Sequence, residues 1–137
     1  MYELICKLTA LQIYCKDAHY AFHGVNFKPL HEWADEISDP IYDWLDELKE
    51  HYYLFNDTET PRGSKINDDA KQYIPEALGT NEQILSNIQA VLYEVHKNTE
   101  LVEENKLLGI SDIIGIPTTE LIDIKNKLLA NNLIAID

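Results

Sequence analysis

Apolar residues recur at steps of three and four along most of the chain, and this spacing predicts helices that each bury one face. The first such stretch covers about residues 3–22 and the second about residues 29–55. Gly24 and Asn26 interrupt the pattern between them, and Pro29 suits the first turn of the second helix. The core positions expected from these two stretches are Leu4, Leu8, Leu11, Cys15, Ala18 and Phe22, then Leu30, Ala34, Ile37, Ile41, Leu45, Leu48 and Tyr52.

A polar segment follows the second predicted helix. Residues 56–69 contain Pro61 and Gly63 and lack a continuous apolar stripe. The segment is too long for a hairpin turn, so we expect a connection between two long helices, with a short helix near residues 68–74.

Two further helices are predicted beyond this connection. Thr80 is followed three residues later by Gln83, the spacing of a capping box, so we expect the third long helix to start here and to reach about Lys106. Gly109 and Pro117 punctuate the next part, and a last helix is expected over about residues 118–132. The core candidates are Ile84, Ile88, Val91, Val95 and Val102, then Leu121, Ile124, Leu128 and Leu129.

The order of these elements predicts an all-α fold in one domain over residues 1–137. The chain is 45% hydrophobic, enough for one core. Four main helices with a long crossover between the second and third are the arrangement of ferritin-like four-helix bundles.

Charge and composition narrow the range of partners. The chain has 24 acidic and 11 basic residues and a formal net charge of -13, with no block of Lys or Arg. Direct DNA binding is therefore not expected, because it depends on clustered cations, whereas an acidic surface attracts metal cations. The absence of a signal-like start and of a long apolar run favours a cytoplasmic protein without a membrane segment.

The two cysteines are expected to be reduced. Cys6 and Cys15 are nine residues apart in the first predicted helix. Helical rise then separates them by about 13 Å, which is too far for a disulfide within the chain.

The second predicted helix carries two pairs of candidate metal ligands. His31 and Asp35 are four residues apart, as are Asp46 and Glu50, so each pair shares one helical face. Asp35 and Asp46 are separated by about three turns, or roughly 16 Å of helix rise. One metal ion cannot span that distance, so a single centre built from both pairs requires a second copy of the chain.

The segment from His19 to His31, with the sequence HYAFHGVNFKPLH, resembles the Dps-type mini-ferritins. The first helix of that family ends in a pattern like H-W-N-V-x-G-P-x-F, and its second helix opens with L-H-E-x-x-x-E. Gly24 and Phe27 match the first pattern, and Leu30 begins the second. With these residues in register, the five ferroxidase ligand positions of the family are occupied by His19, His31, Asp35, Asp46 and Glu50.

The resemblance implies a specific activity and assembly. A closed homo-oligomer, of twelve subunits in the family, would bind Fe(II) at interfaces between two subunits. Hydrogen peroxide, or more slowly dioxygen, would oxidise the iron, and ferric oxide would be stored inside the shell. His19, Asp46 and Glu50 would hold the stronger iron site, and His31, Asp35 and the shared Glu50 the weaker one.

Three positions depart from the family pattern. Tyr20 stands where the family usually has Trp, and Val25 where it usually has Pro. Pro40 lies between the two ligand pairs, where we expect it to kink the second helix. The first helix also begins without the Lys/Arg-rich tail with which some family members bind DNA.

Alternative interpretations of these residues have less support than the resemblance to mini-ferritins. His31, Glu32 and Asp35 partly match the HExxH motif of zinc proteases, but the last ligand differs and nothing else supports a protease. The E-x-x-H pairs of larger ferritins are absent. We place His23, His51 and His96 outside the site, and for Tyr20 and Trp44 we expect packing rather than redox roles. The competing function is a helical assembly or interaction protein that keeps the bundle without catalysing oxidation.

Overall fold

A computed structural model describes residues 2–24, 27–55 and 61–104, and this part of the chain is helical without strands. The prediction of an all-α fold is confirmed over these residues, including three long helices. The short helix expected near residues 68–74 begins earlier, at Gly63, and is followed by a 3-10 helix that ends at Tyr73. The last predicted helix, residues 118–132, lies outside the described residues. The elements are α1 (Tyr2–Ala21), α2 (Phe27–Phe55), α3 (Gly63–Ala70), a 3-10 helix (Lys71–Tyr73) and α4 (Asn81–Glu104).

Helix α1 lies at the centre of the described fold, since α2, α3 and α4 all pack against it. The side chains of residues 4–11 are buried in an unbroken run, Lys7 and Thr9 included. The core positions predicted for α1 are all buried, and in this half of the helix burial extends beyond the predicted stripe to the remaining faces. A helix surrounded by three others has no solvent-facing side, so even its polar positions are enclosed.

The buried stripes expected for the other two long helices are confirmed where their side chains are described. Trp33 and Trp44 extend the buried face of α2, and Ile66 and Ala70 anchor α3. The predicted positions Tyr52 and Val102 have side chains outside the described part. The predicted core residues of α2 and α4 that are buried are Leu30, Ala34, Ile37, Ile41, Leu45, Leu48, Ile84, Ile88, Val91 and Val95.

The predicted capping box starts α4. The backbone N–H of Thr80 donates to Gln83 Oε1 at 2.7 Å, and the N–H of Gln83 donates to Thr80 Oγ1 at 3.2 Å. Gly79 precedes this turn at a φ of 75°, and a Cβ there would lie 2.1 Å from Gln83 Oε1. Glycine is required at this position both by the backbone conformation and by the space that the cap occupies.

The end of α1 is joined to the start of α4. Gly24, with a φ of 83°, ends the turn after α1 in the left-handed region that favours glycine. The backbone N–H of His23 donates to Asn81 Oδ1 at 3.2 Å, and Asn81 Nδ2 donates to the His23 carbonyl at 2.7 Å. These two hydrogen bonds join the residues that follow α1 to the first residue of α4.

Helix α2 continues through Pro40 without a break. The kink expected at this residue stays a prediction. Because the helix is continuous from Phe27 to Phe55, helical rise keeps Asp35 and Asp46 about 16 Å apart.

A buried lysine fastens the start of α1 to α4. The Nζ of Lys7 lies 3.4 Å from a carboxylate oxygen of Glu3 and 3.3 Å from one of Glu94, and it donates a hydrogen bond to Asn98. It also lies over the ring of Tyr73, 5.4 Å from the ring centre. The ammonium group is thus enclosed by acceptors and an aromatic face, as a buried charge requires.

The remaining fold-level expectations concern the thiols and the membrane. Cys6 and Cys15 are buried and free of disulfides, as predicted. Burial raises the pKa of the Cys6 thiol, which keeps it protonated near neutral pH. Among the described helices, none combines the length and apolar character needed to cross a bilayer.

Candidate metal centre

His19 and His31 meet where α1 ends and α2 begins. Helices α1 and α2 pack against each other, and the last turn of α1 lies beside the first turns of α2. His19 is buried with 8% of its surface exposed, and His31 is half-buried. Their rings stack with centroids 3.4 Å apart and an interplanar angle of 22°. The helix pair thus brings together two predicted ligands that lie twelve residues apart in sequence.

The hydrogen bonds of the two rings are reciprocal. His19 Nδ1 contacts the carbonyl oxygen of His31 at 2.6 Å, and His31 Nδ1 contacts the carbonyl oxygen of His19. A carbonyl oxygen can only accept, so each Nδ1 carries the proton. The lone pair of each neutral ring is then on Nε2, and a backbone partner at the other nitrogen is the usual support of a metal-binding histidine.

Asp35 adds a carboxylate to this pair. It lies one turn after His31 on α2, and its Oδ1 is 3.4 Å from His19 Nδ1. The same oxygen accepts a hydrogen bond from Lys16 Nζ at 2.8 Å. That bond, together with the positive charge of Lys16, lowers the pKa of Asp35. The carboxylate is therefore ionised at neutral pH and is already paired with a cation of the protein.

Sequence reasoning missed Lys16. It precedes His19 by three residues on α1, so the helical period places both on neighbouring positions of one face. That spacing was a usable signal, but only the packing of α1 on α2 shows that the lysine reaches Asp35. The hydrogen bond to Asp35 also raises the pKa of Lys16.

Asp46 and Glu50 lie apart from this cluster. Both side chains are exposed on α2. Asp46 lies about three helical turns beyond Asp35, and Glu50 lies about one turn further along. Within residues 2–24, 27–55 and 61–104, no group of three or more His, Cys, Asp or Glu side chains is arranged to hold a metal ion. A single chain brings His19, His31 and Asp35 near one another, but these three side chains are not arranged to hold a metal ion by themselves.

Aromatic side chains extend the histidine stack on both sides. The Tyr20 ring meets His19 edge-on at 4.9 Å and 77°, and the Phe27 ring lies 4.8 Å from His31. Tyr20 is 73% exposed, so beyond its ring contact with His19 the packing role expected for it stays a prediction. Trp44 is buried in the core, which confirms the packing role expected there.

The other histidines stay outside the site where they are described. His23 is exposed, and its Nδ1 lies 3.1 Å from the carbonyl oxygen of Ala21. Its backbone N–H and carbonyl are hydrogen-bonded to the Asn81 side chain. The side chains of His51 and His96 lie outside the described part of the chain.

Comparison with known proteins adds no relative. No protein-family model matches the chain, and no curated protein matches it.

Proposed function

We propose that the protein is an iron-storing ferroxidase of the Dps type, in which His19, His31, Asp35, Asp46 and Glu50 bind the iron that is oxidised. The observation that carries the proposal is the reciprocal bonding of the two histidines. Both rings have Nδ1 on a backbone carbonyl and a lone pair on Nε2, and a carboxylate lies beside them. Imidazole with carboxylate is a donor set that suits iron.

A second copy of the chain completes the centre in this proposal. Asp46 and Glu50 are exposed, so a neighbouring molecule can reach both. A two-fold axis that sets α1 and α2 of two copies against each other would carry these carboxylates to the histidines of the partner. Each such pair of chains holds two identical centres, and twelve chains close into a shell, as the resemblance to mini-ferritins implies.

The chemistry then follows from the ligands. Two Fe(II) ions each lose one electron, and one hydrogen peroxide molecule takes both electrons as its O–O bond breaks, giving two hydroxide ions that remain with the ferric product or take up protons to form water. The carboxylates neutralise the charge that accumulates as the ions become ferric. Holding two ions together supplies two electrons at once, which avoids release of the one-electron product, the hydroxyl radical. Ferric oxide would then collect inside the shell.

An anaerobic titration tests the proposal. Fe(II) is added to the protein, peroxide follows, and the absorbance of the ferric-oxo product is recorded. We expect rapid oxidation by the wild type and about 100-fold slower oxidation by the double variant Asp46→Ala, Glu50→Ala, because metal ligands matter at least as much as their supporting residues. The matched control is Glu32→Ala, Asp43→Ala, which removes two exposed carboxylates of the same helix and should oxidise like the wild type.

The assembly is tested separately. Light scattering should find a particle many times heavier than the 15.8 kDa monomer. A monomer at micromolar concentration would remove the basis of the two-chain centre. Equal oxidation rates in the wild type and the double variant would show that Asp46 and Glu50 belong only to an acidic surface.

The competing function is a non-catalytic assembly protein. The side chains of Tyr20 and Tyr42 are 73% and 71% exposed, as contact residues of an interface can be before assembly. A large particle without peroxide-dependent iron oxidation would support that function over the ferroxidase.

A further inference from the structure

A lysine beside the candidate centre is paired with the carboxylate of Asp35. We propose that Lys16 is a tethered cation that neutralises Asp35 in the metal-free protein and moves to Asp39 when a metal ion binds Asp35. The inference rests on the proposed function, because it concerns how the same centre fills. It adds a residue and a movement that the ligand set does not contain.

Lys16 is bonded to an oxygen atom of a proposed metal ligand. Lys16 Nζ and Asp35 Oδ1 are 2.8 Å apart, a charge-assisted hydrogen bond. A divalent ion that binds this oxygen would meet the ammonium group at close range, where like charges repel strongly. The metal and Lys16 therefore compete for one oxygen atom.

A second carboxylate, Asp39, lies in the same groove as Lys16. An open groove between α1 and α2, with a volume of about 290 Å³, is lined by Lys16 and Asp39 together with Gln12, Ser38 and Tyr42. Asp39 follows Asp35 by one helical turn, so the two carboxylates are neighbours along one face of α2. Asp39 is exposed. The pKa of Lys16 is raised mainly by its hydrogen bond to Asp35, and the negative charge of Asp39 adds to this effect.

The side chain has the freedom to make this movement. The Lys16 side chain is 48% exposed, and the flexible stem of a lysine reaches either of two carboxylates one turn apart. An exposed ion pair of this kind is weak, so a metal ion with further ligands from the histidines can displace it. Asp39 would then receive the ammonium group within the same groove.

This exchange predicts unequal filling of the centre. The ion that uses Asp35 must displace Lys16, whereas the ion bound by His19, Asp46 and Glu50 does not. The second binding event should consequently be weaker in the wild type and should respond to changes at Lys16 and Asp39.

Calorimetric titration of the assembled protein with Zn(II) tests the exchange, because zinc binds imidazole and carboxylate without being oxidised. Lys16→Gln should tighten the weaker binding event about tenfold, since a competing positive charge is removed. The control Lys71→Gln makes the same charge change at an exposed lysine that pairs with Asp68 at 3.0 Å, and it should leave both events unchanged.

A double-mutant cycle tests the role of Asp39. Asp39→Asn should weaken the second binding event several-fold in the wild-type background, because Lys16 then lacks its alternative partner. In the Lys16→Gln background the same substitution should have less than half of that effect on the logarithm of the affinity. Equal effects in both backgrounds would show that Asp39 attracts the metal directly and does not receive Lys16.

The outcomes separate this inference from the proposed function. If the wild type binds zinc in two events and Lys16→Gln matches the Lys71→Gln control, the exchange is overturned while the metal centre stands. If neither the wild type nor Lys16→Gln binds zinc, both the exchange and the metal centre are overturned.

Discussion

Lys7 and Lys16 lie on the same helix and both bind carboxylates, yet their surroundings differ. Lys7 is buried and contacts Glu3, Glu94 and Asn98, with the Tyr73 ring over its charge. Lys16 is half exposed, with one hydrogen bond to Asp35. The first lysine is held from several sides, whereas the second is held by a hydrogen bond to one carboxylate.

The difference separates a structural cluster from a candidate functional one. The acceptors around Lys7 come from α1 and α4 and satisfy the ammonium group, so the cluster ties two helices together. At the other end of α1, each of two histidines has its Nδ1 on a backbone carbonyl, and the nearby carboxylate is paired with a half-exposed lysine. In the proposed function these groups bind a metal ion.

The largest expected effect comes from His19→Asn. The asparagine amide can replace Nδ1 as donor to the His31 carbonyl, but it has no counterpart of the Nε2 lone pair. Peroxide-dependent iron oxidation should fall about 100-fold or more, since a ligand is lost, while the fold and assembly persist. Stopped-flow absorbance and light scattering measure the two properties. Wild-type oxidation by this variant would mean that the histidine stack is structural, like the Lys7 cluster.

The next effect is on stability and concerns Lys7. Lys7→Ala should lower the free energy of unfolding by about 2 kcal/mol, because it removes buried packing and leaves carboxylates without their partner, an effect reduced by their partial exposure. Lys7→Met keeps the volume of the side chain and should cost about 1 kcal/mol or less. Urea unfolding of both variants measures the difference. Equal losses would show that the charge, rather than its packing, determines the stability of this cluster.

Acid should weaken the same cluster. The charge of Lys7 lowers the pKa of Glu3 from its usual 4.5. A carboxyl group whose pKa is lower in the folded state stabilises the fold above its unfolded pKa, and this contribution is lost as pH falls through the folded pKa. The stability difference between the wild type and Lys7→Met should therefore shrink between about pH 6 and about pH 3. Urea titrations at the two pH values measure it, and a constant difference would contradict the ion pair.

The smallest effect is expected from Lys16→Gln on stability. An exposed pair contributes little, so the free energy of unfolding should change by less than about 0.5 kcal/mol. Urea unfolding beside Lys7→Met checks the contrast between the two lysines. A loss as large as that of Lys7→Ala would place Lys16 in the structural class and would weaken the case for its exchange.

Much of the fold follows from local sequence relations. The three- and four-residue apolar spacing predicts the buried faces of α2 and α4, and Thr80 with Gln83 predicts the start of α4. These features succeed because the helical period alone determines which residues share a face and because a cap is satisfied within four residues. The same period places His31 beside Asp35, and keeps Asp46 too far away for one ion.

Tertiary structure alone decided the chemistry between the helices. The sequence determined that His19 and Lys16 lie on neighbouring positions of one helical face, but only the packing of α1 on α2 sets their contacts with Asp35 and the proton on each histidine Nδ1. The complete burial of residues 4–11 likewise depends on three other helices. The physical reason is that contacts between helices depend on their rotation and axial position, and neither quantity is contained in the period of a single helix.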